Sequence, residues 1–276
     1  MAGGFRVVTD STSDVPPEWC ERFGIEVVPL KVLFGTDSFR DRVDLSTSQF
    51  FERLAQAERL PTTSAPSPGD FAAVYERLSH ECDGVISIHI SGGLSATVDA
   101  ARVGARSVEG FPVHVIDSRC VTVCVAFLCR VAAEARTLGE AVRMVEERVP
   151  RQRILALLDT LKYLEMGGRI GRAQALLGSV LDVKPILGVS NGQVEALDRV
   201  RTRSKAIPRL VEMLRRDLPV ERLAVVHAQA PQDAERIRAQ VAHELPELEV
   251  ETGEIGAVLG THVGPRAVGL TYIKQA

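Results

Sequence analysis

The sequence predicts an α/β protein made of an N-terminal doubly wound parallel-sheet domain, residues 1–150, and a C-terminal α/β domain with a mixed sheet, residues 151–276. Three observations carry this expectation. Short runs rich in Val and Ile alternate with helical patterns through the first half, the arrangement of βαβ units and a parallel sheet. After Pro150 the strand-like runs lie closer together in the chain. Among them, Asn191-Gly192 separates two such runs, and this pair is a strong hairpin signal because both residues tolerate positive φ.

In the first half, residues 6–10, 25–30, 84–90 and 112–117 read as strands, with helices expected at 48–59, 68–81, 94–108 and 119–135. One more amphipathic helix is expected at 137–149. Right-handed crossovers then place helices on both faces of the sheet. In the second half a strand at 153–159 leads through a short helix into Gly167-Gly168-Arg169. The hairpin strands follow at 183–190 and 193–199. A helix at 202–217, a strand at 223–228, a helix at 232–244 and strands at 247–255 and 268–273 complete the chain.

Composition narrows the function classes. Of 276 residues, 45% are hydrophobic, enough to offset the ordering entropy that keeps polar chains disordered. Aromatics are only 5%, so the core is aliphatic. A net charge of −3 provides no field to recruit nucleic acid. The N-terminus lacks the apolar stretch of a secretory leader, and no segment approaches the roughly 18 apolar residues that span a bilayer. The five cysteines form no CxxC pair, and Cys120 and Cys124 lie in an apolar run as buried thiols do. The protein is expected in the cytoplasm, without zinc, disulfides or other cofactor.

Several catalytic signals fail on context. There is no GxxxxGK[ST] and no strand followed by GxGxxG, so a nucleotide site is not expected. Gly188-Val189-Ser190-Asn191-Gly192 matches the GxSxG nucleophile pattern, but that motif needs a helix after the turn and here a second strand follows. The histidines are scattered, and His89 and His114 sit inside strand patterns.

What remains is a set of polar clusters at strand ends. Asp10-Ser11-Thr12-Ser13-Asp14 follows the first strand, Thr62-Thr63-Ser64 precedes a helix capped by Ser67, and Ser91-Gly92-Gly93-Leu94-Ser95 joins a buried strand to a helix. Ligands of open α/β sheets bind beyond the carboxyl ends of the strands, where free amides and hydroxyls favour anions.

These pieces, in order, resemble the DegV family of bacterial fatty-acid-binding proteins. The resemblance rests on residues 9–14, 62–67, 90–95 and 116–118, then 164–171, 184–187, 200–203 and 260–265, so it spans essentially the whole chain. It implies a ligand tunnel between the two domains holding a long-chain fatty acid. It also implies a carboxylate site drawn from Thr63, Ser64, Ser91, Gly92, Ser95, Arg169 and His262, with Thr63 and a serine on the ligand and Arg169 and His262 behind them. The implied role is the acyl-carrying subunit of a fatty-acid kinase. A separate kinase protein would phosphorylate the bound carboxylate, and a transient contact with a membrane surface belongs to the same picture.

Three positions depart from the family pattern. Gly92 and Ala96 replace Ser and Gly in the serine loop, which removes one hydroxyl. Arg266 replaces the last Gly of Gly-Pro-Gly, putting a guanidinium near the carboxylate or at the surface. Cys120 and Cys124 add volume to a Gly-rich helix that in the family packs near the ligand. Two other readings stand beside the carrier: a serine hydrolase using Ser190 or Ser95, and a lipid-sensing regulator with no kinase.

Overall fold

Residues 4–176 and 183–276 are described by the structure, a computed structural model; residues 1–3, part of the segment read for a leader, lie outside them. The first half runs β1 (Phe5–Asp10), α1 (Pro17–Phe23), β2 (Ile25–Val28), β3 (Lys31–Phe34), β4 (Asp37–Arg40), α2 (Thr47–Gln56), β5 (Thr62–Ser64) and α3 (Pro68–Ser79). It continues with β6 (Gly84–His89), α4 (Thr97–Arg106), β7 (Val113–Asp117), α5 (Val123–Ala133) and α6 (Leu138–Arg148). Strands β2-β1-β6-β7 form an all-parallel sheet in that order. Its central strand β6 is buried at all six positions, as expected of a parallel strand covered on both faces.

The second half runs β8 (Gln152–Leu157), α7 (Lys162–Met166), β9 (Lys184–Ser190), β10 (Gln193–Val200), α8 (Arg203–Arg216), β11 (Val220–His227), α9 (Pro231–Glu244), β12 (Glu251–Glu254), α10 (Ala257–Val263) and β13 (Val268–Lys274). Its sheet has the order β10-β9-β8-β13-β11-β12 and is mixed, with β11 and β12 parallel and the other pairs antiparallel. The hairpin turns where expected, with Asn191 at φ 48° and Gly192 at φ 78°.

Helix α5 ties the halves together. Nine of its eleven residues are buried, so it is apolar on every side, the pattern of a helix enclosed by other elements. Its residues share one core with Ile86 and Ile88 of the parallel sheet and Ala224 and Val226 of the mixed sheet.

Three expectations are corrected. Residues 31–40 and 62–64 form a three-stranded antiparallel sheet, β4-β3-β5, where no strands were expected; the segments are short and mixed in polarity, and pairing rather than propensity makes them strands. The helix expected from residue 119 begins at Val123, because Arg119 and Thr122 take positive φ in a turn held by Asp117 and Ser118. The strand expected over 247–255 is only Glu251–Glu254, and α10 was not anticipated.

Candidate functional site

Thr63 is set by β5, where it pairs with Val32. The end of that segment is held by Ser67, whose side chain and Asp70 form a reciprocal cap at the start of α3. His262 is set by α10. The start of this helix is held by two carboxylates from the other half: Asp14 accepts from the Gly256 N–H at 2.9 Å and Asp41 from the Ala257 N–H at 3.3 Å. Gly260 lets α10 lie on the aromatic face of α2, since a Cβ there would approach the Phe50 ring to 2.8 Å.

These elements bring Thr63 Oγ1 within 3.0 Å of His262 Nε2. Burial pushes the imidazole pKa down to about 4, and the Arg169 charge acts in the same direction, so the ring is neutral at physiological pH. Among the described residues, the buried Nδ1 has no hydrogen-bond partner. A ring protonated at Nε2 leaves no unpaired N–H buried. It donates to Thr63 Oγ1 and leaves the threonine hydrogen free to turn toward a ligand.

Arg169 reaches neither of these residues. It is exposed and clamps two carbonyls, that of Gly167 at 2.7 Å and that of Leu94 at 3.2 Å, bridging the halves. Gly167 backs the histidine so closely that a Cβ would collide with His262 Nδ1.

Thr63, Ser64, Ser95, Arg169 and His262 all line one cavity of about 360 Å³. Its other walls are mostly aliphatic, among them Leu30, Ile90, Leu158 and Leu259. Arg169 is the one charged residue among the described lining, so an anion meets donors and no carboxylate. Ser95 Oγ is 2.8 Å from Thr97 Oγ1, and Ser64 Oγ donates to the Ala65 carbonyl at 3.2 Å. A second, larger recess of about 580 Å³ shares Thr63, Arg169 and His262 and adds Arg59 and Lys162.

Two candidates fall outside this lining. Ser91 is fully buried, donates to the Gly192 carbonyl at 2.8 Å and accepts from the Gly93 N–H at 3.1 Å, so its hydroxyl ties the hairpin tip to the serine loop. The Gly92 N–H donates to Asp117 Oδ1 at 3.2 Å. Arg266 is exposed at φ 64°, with Asp159 3.5 Å away, which settles its place at the surface. Cys120 and Cys124 pack with Ile154 behind the cavity wall.

Sequence reasoning missed what holds the site. Asp14 joins Arg42 at 2.9 Å, Thr122 at 2.7 Å and the Gly256 amide; burial nevertheless pushes its carboxyl up to about 6. The acidic ends of the 10–14 cluster were the available signal, but Asp10 turns inward as well. It accepts from Thr12 and the Ile90 N–H and meets His89 Nδ1 at 3.0 Å. His89 Nε2 then meets Ser87 Oγ at 2.7 Å, itself 2.7 Å from the Tyr75 hydroxyl. This Asp10–His89–Ser87 line is fully buried and lines neither cavity, so it has no opening for a substrate. Ser190 lies on β9 before a strand-to-strand turn, and His262 faces Thr63 rather than either proposed nucleophile.

Known proteins share this architecture. The model of the DegV family, described as an uncharacterised protein family, matches residues 4–275. A DegV domain-containing protein of Streptomyces coelicolor is 40% identical over 284 residues, which covers 100% of both chains. The solved structure of a fatty-acid-binding DegV family protein from Thermus thermophilus is similar at a TM-score of 0.92 and 32% identity, covering 99% of this chain and 100% of that one. DegV of Bacillus subtilis, a fatty acid binding protein, gives 0.90 and 35% with 99% of each chain covered.

Proposed function

We propose, from the fact that this chain belongs to the DegV family, that it binds a long-chain fatty acid and presents the carboxylate to a separate ATP-dependent fatty-acid kinase. The observation that carries the reading is the position of the Thr63–His262 pair, where an aliphatic cavity meets a larger, more polar recess. The acyl chain occupies the cavity and gains about 0.8 kcal/mol per buried methylene. Its carboxylate accepts from the Thr63 hydroxyl and from Ser95. His262 orients the threonine hydroxyl, Arg169 holds the Leu94 carbonyl next to Ser95, and Ser64 flanks them.

The recess is where the phosphoryl donor approaches. Lys162, Arg59 and Arg169 lower the repulsion between two anions there. One carboxylate oxygen attacks the γ-phosphorus held by the partner and ADP leaves, producing an acyl phosphate. This chain supplies position and the partner supplies ATP and its metal. We place the division of the chain at residue 150, within the turn Val149–Arg151 that leads into β8. The carrier works in the cytoplasm with a transient membrane contact to exchange lipid; among the described residues no helix is long and apolar enough to cross a membrane.

Denaturing extraction and lipid mass spectrometry test the first step. The expected result is a stoichiometric fatty acid of roughly C14 to C18. A protein that carries no lipid and takes up neither palmitate nor oleate refutes the reading. Incubation with a kinase partner, ATP and fatty acid tests the second step, and a lipid-binding protein that never yields acyl phosphate is a sensor instead. A serine-directed fluorophosphonate should leave the protein unlabelled.

A further inference from the structure

Part of the cavity wall is made where the two halves touch. The serine loop supplies Leu94, Ser95 and Ala96, and the β9–β10 hairpin supplies Val189 and Val194. Two glycines meet at the contact between them. A Cβ on Gly93 would collide with the Gly192 carbonyl oxygen, and one on Gly192 would lie 2.5 Å from Ser91 Oγ. The Ser91 hydroxyl holds this contact by donating to the Gly192 carbonyl at 2.8 Å.

The hairpin is joined to its sheet at its base. Strands β9 and β10 pair with each other at seven positions, but among the described residues β8 and β9 pair only at Ala156–Leu187 and Leu157–Ile186. Gly188 still lies against β8, since a Cβ there would be 3.0 Å from the Ile154 carbonyl oxygen, so no opening separates the two strands. Beyond it, residues 189–194 form a two-stranded arm whose outer strand, β10, is the edge of the sheet. An edge arm tied by few hydrogen bonds opens at lower cost than a central strand. The turn Gly171–Leu176 lies on the same arm, with Gly171 backed on the Val194 carbonyl. Just before that turn, Arg169 holds the Leu94 carbonyl at 3.2 Å. Both ties from this side therefore end on the serine loop.

We propose that the hairpin tip is the gate through which the fatty acid enters and leaves, with residues 189–194 swinging from the serine loop and the Ser91–Gly192 hydrogen bond as the latch. The inference rests on the fatty-acid reading above. Thr63, Arg169 and His262 stand between the cavity and the larger recess, so a tail entering from the recess would have to pass the groups that hold the carboxylate. Lifting the arm bares the aliphatic wall beside Val189 and Val194 directly, and the chain leaves water as it slides in. Reclosure then shuts the site, as lids do.

The test is the exchange of carbon-14 palmitate by the delipidated full chain and its Ser91→Cys/Gly192→Cys variant. A Cβ on Gly192 would lie 3.7 Å from Ser91 Cβ, within the span of a disulfide. With the bridge formed and mapped by peptide mass spectrometry, uptake and release should slow by about tenfold or more, and dithiothreitol should restore both. Gly192 has positive φ, so Ser91→Ala gives a second reading without strain at that position. It should exchange palmitate about fivefold faster, the worth of one hydrogen bond, at an unchanged dissociation constant, because an unlatched gate speeds entry and exit alike. Exchange at the wild-type rate in the bridged form, or in Ser91→Ala where no bridge forms, overturns the gate alone. A wild-type chain that takes up neither palmitate nor oleate overturns the fatty-acid reading with it.

Discussion

Thr63 Oγ1 and His262 Nε2 stand 3.0 Å apart although 199 positions separate them in the chain. One residue sits on a three-residue strand and the other on a seven-residue helix. The ring can fix the direction of the threonine hydrogen only while both elements hold their places. The site is therefore a joint product of the two halves.

Replacing His262 by Ala should reduce acyl-phosphate formation by roughly ten- to a hundredfold, the scale of one or two lost hydrogen bonds in the reacting geometry. Lipid should remain bound, because the buried chain supplies most of the affinity. Kinase-coupled turnover and lipid content of the same preparation separate the two effects. Unchanged turnover would reduce His262 to a packing residue.

The pH dependence of stability has two opposed contributions. His262 has its pKa lowered to about 4, so its contribution is complete above its ordinary 6.5 and is lost as pH falls toward 4. The shift corresponds to about 3 kcal/mol at 1.36 kcal/mol per unit. Asp14 has its pKa raised to about 6, so its contribution is complete below 3.8 and is lost as pH rises through 6. Between pH 4 and 6 the two partly cancel. Denaturant titrations from pH 7 to 4.5 should show the wild type losing stability relative to His262→Gln. Relative to Asp14→Asn the slope should have the opposite sign.

Gly167→Ala should impair turnover as His262→Ala does, although Gly167 donates nothing to the reaction. The added methyl collides with Nδ1 of the ring, and displacing that ring breaks its contact with Thr63. Overpacking of this kind costs about 1–3 kcal/mol. Nitrogen-15 shifts of the His262 ring should move with turnover; a wild-type ring spectrum would contradict the account.

Ser91→Ala should lower stability by about 1–2 kcal/mol, since the Gly192 carbonyl loses its donor and the Gly93 amide its acceptor. Ser95→Ala should act on turnover with less effect on stability, because Ser95 lines the cavity. Thermal melts and coupled turnover on both variants make the comparison. A loss of turnover confined to Ser91→Ala would return that hydroxyl to the carboxylate.

Local signals in the chain were sufficient for the parallel sheet, the Asn191–Gly192 hairpin and the Ser67 cap. Each is encoded within a few residues, by β-branched runs, positive-φ turn residues or a capping side chain. His262 and Thr63 were also legible, as polar residues in a family-like pattern. Helix α10 and the β4-β3-β5 sheet were not, since the first is too short for periodicity and β4 (Asp37–Arg40) is largely polar. Tertiary structure decided those elements: Asp14 and Asp41 reach across the chain to hold the start of α10, and Val32 supplies the pairing that makes Thr63 part of a strand. It also assigned Ser91 to the fold and Ser95 to the cavity, two serines four positions apart in one loop. The physical reason is the range of the forces. Side-chain period and turn torsion act over a few residues, whereas burial and hydrogen bonding between the halves depend on which distant surfaces meet.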